Sequence, residues 1–142
     1  MDAKSRHLTI KNEVDELTKL PEFIETVCEE AGVDMALIAS LNLAIEEAAT
    51  NVVLYAYEGG EGPIDIEAVY EPSLLKFIIT DKGVAFDPTQ KEDADITLSA
   101  EERPIGGLGI FLVRQIMDTV HYERVDGKNI LTLTKHLASD NG

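Results

Sequence analysis

The sequence predicts an α/β domain: a two-layer sandwich in which helices cover one face of a mixed, largely antiparallel sheet. Three observations carry this. Apolar residues recur at helical spacing over 13–31, 34–57 and 107–120. Two pairs of strand-like runs are joined by tight turn signals, which makes each pair antiparallel. Helices and strands do not alternate strictly, so a doubly wound parallel sheet is excluded. The chain has 142 residues, 44% of them hydrophobic, which is enough for one domain, 1–142, with its own core.

Taken in order, "RHLTIKN" (6–12) is a short strand. Val14, Leu17, Leu20, Phe23, Ile24 and Val27 give the next segment a helical stripe, and Pro21 inside it predicts a kink or a division. Gly32 ends that helix and Asp34 reads as the N-cap of a long one running to about Tyr57. Its predicted buried stripe is Leu37, Leu41, Ala44, Ala48, Val52 and Tyr55. "EGGEGP" is a loop, and "IDIEAVY" and "LLKFIIT" form a hairpin about "EPS". Residues 82–105 make a long polar loop broken by prolines. A helix follows from near Leu108 to about Val120, and "HYERV" and "NILTLTKHL" close the chain as a hairpin about "DGK".

Composition narrows the function. The net charge is -15 and the pI near 4.4, so direct nucleic-acid binding and attachment to an anionic membrane are not expected. A macromolecular partner is basic or neutral; acidity that serves only solubility is the competing reading. The single cysteine, Cys28, has no disulfide partner in the chain and reads as a buried structural residue. The first residues lack the apolar run of a signal peptide, and no apolar run reads as long enough to span a bilayer. These features predict a soluble protein of the cytoplasm.

Three groups of residues are candidates for chemistry. Gly106, Gly107 and Gly109 lie where a helix must begin, at a cost in conformational entropy. The first N–H groups of a helix lack internal partners and carry partial positive charge, so glycines there can cradle a phosphate. A hinge or a close-packed turn is the alternative. Glu47 and Asn51 are four apart and share a helix face. An amide oxygen suits Mg²⁺, and a carboxylate one turn away can accept a proton; simple surface residues are the alternative. Asp81 ends an apolar strand with Gly83 two later, a place for a carboxylate that accepts from an exocyclic amine, or for an ordinary turn.

The conjunction is more specific than its parts. "EEAATN", "DKGVAFDP" and "GGLGIFLVRQIMD" resemble, in order, the N, G1 and G2 boxes of the Bergerat-fold (GHKL) ATPases. The short chain and the "FDP" after the second box are most similar to bacterial anti-sigma-factor serine/threonine kinases. The resemblance covers about residues 6–137. It implies ATP and Mg²⁺ as ligands, with Asn51 holding the metal and Glu47 as general base. It implies Asp81 as reader of the adenine amine, Gly83 beside the ring, and Gly106, Gly107, Leu108 and Gly109 at the phosphates. Residues 88–105 would be the ATP lid, and Arg103 within it is placed to reach a terminal phosphate. One position departs from the family pattern: Ala85 stands where a second glycine is usual, which is tolerable if its φ is negative. The implied partners are a STAS-type anti-anti-sigma protein, phosphorylated on serine, and a sigma factor that is sequestered; a homodimer is also implied. An ATP-gated binding module without phosphotransfer is the second reading, weakened by Glu47, since pure binding needs no base. A detached histidine-kinase domain is the third, weakened because His7, His121 and His136 all fall in predicted strands.

Overall fold

The computed structural model describes residues 4–57, 60–85 and 107–137. The expected lid, 88–105, with Arg103, and also Gly106 fall outside them. The elements are β1 (Lys4–Lys11), a 3-10 helical segment (Val14–Lys19), α1 (Leu20–Ala31), α2 (Met35–Tyr55), β2 (Pro63–Glu71), β3 (Leu74–Asp81), α3 (Gly107–Ile116), β4 (Thr119–Val125) and β5 (Lys128–His136). The five strands lie in the order β1-β2-β3-β5-β4, and every pairing is antiparallel.

Alternation along the strands decides which face is buried. Ile64, Ile66, Ala68 and Tyr70 of β2 pair with Asp81, Ile79, Phe77 and Leu75 of β3, and all eight are buried. Leu133, Leu131 and Asn129 of β5 continue the same rows. The helices supply the opposing layer: Leu20, Ile24 and Val27 from α1, Leu41, Ala44, Ile45 and Ala48 from α2, and Ile110, Val113 and Met117 from α3 and the residue after it. Each large side chain removed from water contributes about 1.5–3 kcal/mol.

Local chemistry explains the boundaries. Pro21 divides the first helical run as one of its two expected outcomes. It sits in the first turn of α1, where its missing N–H costs nothing. Gly32 takes a left-handed φ of 73°, and the N–H groups of Gly32 and Val33 close the helix end on Cys28 O and Glu29 O. Asp34 stands at the N-cap of α2 as expected, but its side chain makes no capping bond; its carbonyl accepts from Leu37 and Ile38 N–H. The buried face of α2 is wider than the predicted stripe: Ile45, Ala49, Asn51 and Val53 join it, and Leu37 and Tyr55 are half-buried. Asp126 (φ 50°) and Gly127 (φ 79°) both occupy the left-handed region that the tight β4–β5 turn requires.

Two expectations need correction. Helix α3 stops at Ile116 rather than near Val120. Asp118 N–H donates to Thr134 O, so the chain is captured by the edge of β5, and the β-branched Thr119 and Val120 suit a strand. Lys135 Nζ, 2.8 Å from Ile116 O, satisfies a carbonyl at the helix end. The second concerns membrane-spanning length. Helix α2, with 21 residues and a mean hydropathy of 1.4, is long and apolar enough to cross a bilayer. Its apolarity has another cause here: it packs against α1, α3 and the sheet, and eight of its residues are buried.

Candidate nucleotide-binding site

The end of α2 and the loop after β3 meet. Helix α2 packs against α3. Its terminal carbonyl at Ala56, which has no partner within the helix, accepts from Val84 N–H at 2.8 Å. Asn51 lies five residues before Ala56, about 7.5 Å along the axis at the usual helical rise. The loop after β3 is therefore fastened to the helix that carries Glu47 and Asn51.

Asn51 is 1% exposed. Its Nδ2 donates to Glu47 O at 3.2 Å, while its Oδ1 is buried without a hydrogen-bond partner. An orphaned acceptor of this kind costs about 1–3 kcal/mol unless a water or ligand meets it; Asn42 Oδ1 on the same helix is the other such atom among the described residues. A neutral oxygen suits Mg²⁺, which keeps several waters and shares phosphate oxygens. Among the described residues no cluster of three or more His, Cys, Asp or Glu could hold a metal alone. The unpartnered Asn51 oxygen fits, as one ligand, an ion that also takes phosphate oxygens. Glu47, one turn earlier, is half-buried. Burial, and secondly the charge of Glu46, push its carboxyl above the usual carboxylate range. A base whose pKa moves toward neutrality is better matched to proton abstraction.

Asp81 is 3% exposed at the end of β3. Two donors converge on its Oδ1: Gly83 N–H at 2.8 Å and Asn129 Nδ2 at 2.9 Å. Both fix the carboxylate plane, and Oδ2 is left as the atom a ligand donor would meet. Gly83 is required for a reason the sequence did not disclose. A Cβ there would lie 2.0 Å from Ala56 O and 2.5 Å from Ala56 C, and its φ is not positive. The glycine lets the loop touch the backbone of α2, whatever it also does for a ring. Gly83→Ala is accordingly expected to cost about 2 kcal/mol or more, roughly 5–10 °C in melting temperature by scanning calorimetry. Among the described non-glycine residues only Asp126 has a positive φ, so Ala85 meets the condition under which it replaces a glycine without strain.

Gly107, Leu108 and Gly109 form the first turn of α3, where backbone N–H groups lack intrahelical acceptors. Sequence reasoning missed four residues that shape the loop. Tyr57 Oη accepts from Lys82 N–H at 2.8 Å and donates to Pro63 O at 2.6 Å, with its ring filling the space a side chain at Gly62 would need. Asn129, Arg124 and Tyr122 act from the β4–β5 hairpin. A signal for Asn129 was present: a polar residue at an inward position of the alternating "NILTLTKH".

This fold and site define a nucleotide-binding domain of the histidine kinase-like ATPase class. The family model for the histidine kinase-like ATPase domain matches residues 10–135, and the chain belongs to that family. Its relatives include the serine-protein kinase RsbW of Listeria monocytogenes, 34% identical over 116 residues that cover 78% of this chain and 73% of the relative. The serine/threonine-protein kinase BtrW of Bordetella bronchiseptica is 35% identical over 103 residues, 71% of this chain and 72% of the relative. The serine-protein kinase RsbW of Bacillus cereus is 32% identical over 104 residues, 70% of this chain and 64% of the relative.

Proposed function

We propose that this chain is an ATP-dependent serine/threonine protein kinase and anti-sigma regulatory factor. In this reading it phosphorylates a serine of a STAS-type anti-anti-sigma partner, and it sequesters a sigma factor in the cytoplasm. The observation that carries it is the pair on α2: an orphaned, buried amide oxygen at Asn51 and, one turn away, the raised carboxyl of Glu47. The names of the relatives, all protein kinases acting on serine or threonine, support the same reading.

The roles rest on the resemblance, and for the described residues the geometry supports them. Asp81 accepts a hydrogen bond from the adenine amine, and Gly83 lies beside the ring. Backbone N–H groups of Gly106, Gly107, Leu108 and Gly109 hold phosphate oxygens, with Arg103 of the lid, 88–105, at the terminal phosphate. Asn51 Oδ1 would ligate Mg²⁺; when bound, that ion neutralises charge on the phosphates. Glu47 accepts the proton of the partner's serine hydroxyl as its oxygen bonds to the γ-phosphorus. The bond from that phosphorus to the β–γ bridging oxygen breaks, and ADP leaves. The nucleophile belongs to the partner, so no serine of this chain need be catalytic. The whole chain acts as one domain, as a homodimer, and its charge of -15 favours a basic face on the sigma factor.

The test is transfer of label from γ-labelled ATP, with Mg²⁺, to a serine-bearing STAS-type protein. Label on the partner, absent when its serine is alanine, is the expected result. Saturable ATP binding with no transfer would replace this reading with an ATP-gated binding module.

A further inference from the structure

The base-reading loop, 81–85, is held from two sides, and the two sides grip different groups. Its N–H groups are taken by Asp81 and the end of α2. Lys82 N–H donates to Tyr57 Oη, Gly83 N–H to Asp81 Oδ1 and Val84 N–H to Ala56 O. Its carbonyls are taken by the β4–β5 hairpin. Arg124 Nη1 donates to Gly83 O at 2.8 Å, and Asn129 Nδ2 donates to Val84 O at 2.7 Å as well as to Asp81 Oδ1. Asn129 Oδ1 in turn accepts from Tyr122 Oη and from Arg124 Nη1, the latter at 3.1 Å. Register brings these groups together: Arg124 pairs with Asn129 across β4 and β5, and Asn129 pairs with Asp81 across β5 and β3. They form one row along the end of the sheet.

The amide of Asn129 places an N–H on each of two acceptors, so its Nδ2 is committed to the loop. Arg124 is the outermost member of the row. It is exposed at the sheet edge, yet it donates into a backbone carbonyl two residues from Asp81. A charged donor on a carbonyl makes one of the stronger hydrogen bonds, and it acts here on a segment with no ladder of its own.

We propose that Arg124 is a positioning residue for base recognition. Through Gly83 O and Asn129 it fixes the carboxylate of Asp81 in the plane that accepts an exocyclic amine, so the β4–β5 hairpin sets discrimination between a 6-amino and a 6-oxo purine. The inference rests on Asp81 being the base reader. Misplacement of a recognising group by about 1 Å is enough to lose on the order of 100-fold in a preorganised site.

The experiment compares Arg124→Met, Arg124→Lys and Tyr122→Phe with the wild-type chain. It measures ADP and GDP affinity by titration calorimetry, KM and kcat for transfer, and melting temperature. Arg124→Met keeps the apolar stem and removes the donors. It is expected to weaken ADP about 10-fold and GDP little, so that the ADP-to-GDP preference falls. KM for ATP rises with kcat nearly unchanged, and the melting temperature moves little because the side chain is exposed. Arg124→Lys restores part of the affinity through one remaining donor, and Tyr122→Phe gives a smaller loss of the same kind. ADP affinity in Arg124→Met equal to wild type would overturn the proposal while leaving the nucleotide site intact. An equal loss for ADP and GDP, or a loss that tracks a fall in melting temperature, would reduce Arg124 to a structural role and overturn it too. Absence of ADP binding by the wild-type chain would overturn this proposal together with the reading beneath it.

Discussion

Asp81→Asn is expected to weaken ATP binding on the order of 100-fold or more while leaving the fold intact. Asparagine has the same shape, and its oxygen can still accept from Gly83 N–H and Asn129 Nδ2. That choice turns its NH₂ toward the position where an adenine amine would donate, so donor meets donor. The variant loses a charge-assisted hydrogen bond and gains an unpaired donor, together about 3 kcal/mol. Calorimetric titration against ATP measures it. Because Asp81 is buried, the melting temperature should be read in parallel. A large drop in stability would mean that its main work is structural, and would remove the basis for assigning it to the base.

The second large effect is on chemistry rather than binding. Glu47→Gln is expected to lower phosphotransfer by about 10²–10⁴, the usual contribution of a general base, with ATP affinity within about threefold of wild type. A fall in affinity of the same size would make Glu47 a binding group instead. The raised carboxyl adds a pH signature with a definite sign. With Glu47 as the proposed base its ionised form is the competent one, so the transfer rate is expected to fall as pH drops through a pKa above the usual carboxylate value, and Glu47→Gln to abolish that limb. Stability moves oppositely. The folded state binds the proton more tightly than the unfolded one, so stability declines as pH rises from the unfolded to the folded pKa. Glu47→Gln should therefore be slightly more stable than wild type at neutral pH, by an amount limited by the partial exposure of the carboxyl.

The order of elements was readable because the fold rests on two periods. "IDIEAVY" alternates with period 2 and α2 repeats near 3.6, and each period is imposed by the face it buries. What was not readable depended on contacts distant in sequence. Nothing near Val120 announces that α3 stops four residues earlier; the stop comes from Thr134 O, on a strand still to follow. Gly83 was visible as a loop glycine, but the reason for it is the carbonyl of Ala56, 27 positions back. Asn51 looked like a helix residue with a propensity cost, and only burial shows that its oxygen has no partner. Arg124 carries no motif, and its contacts with Asn129 and Gly83 O come from strand register and the path of the loop after β3.

Whether Asp81, Asn51 and the start of α3 form an adenine-nucleotide site is decided by calorimetric titration of the chain with ATP and with GTP, each with and without Mg²⁺. The expected result is micromolar-range ATP binding that strengthens with Mg²⁺, with GTP binding weaker on the order of 100-fold. No heat at millimolar ATP, or equal affinity for ATP and GTP, would contradict it.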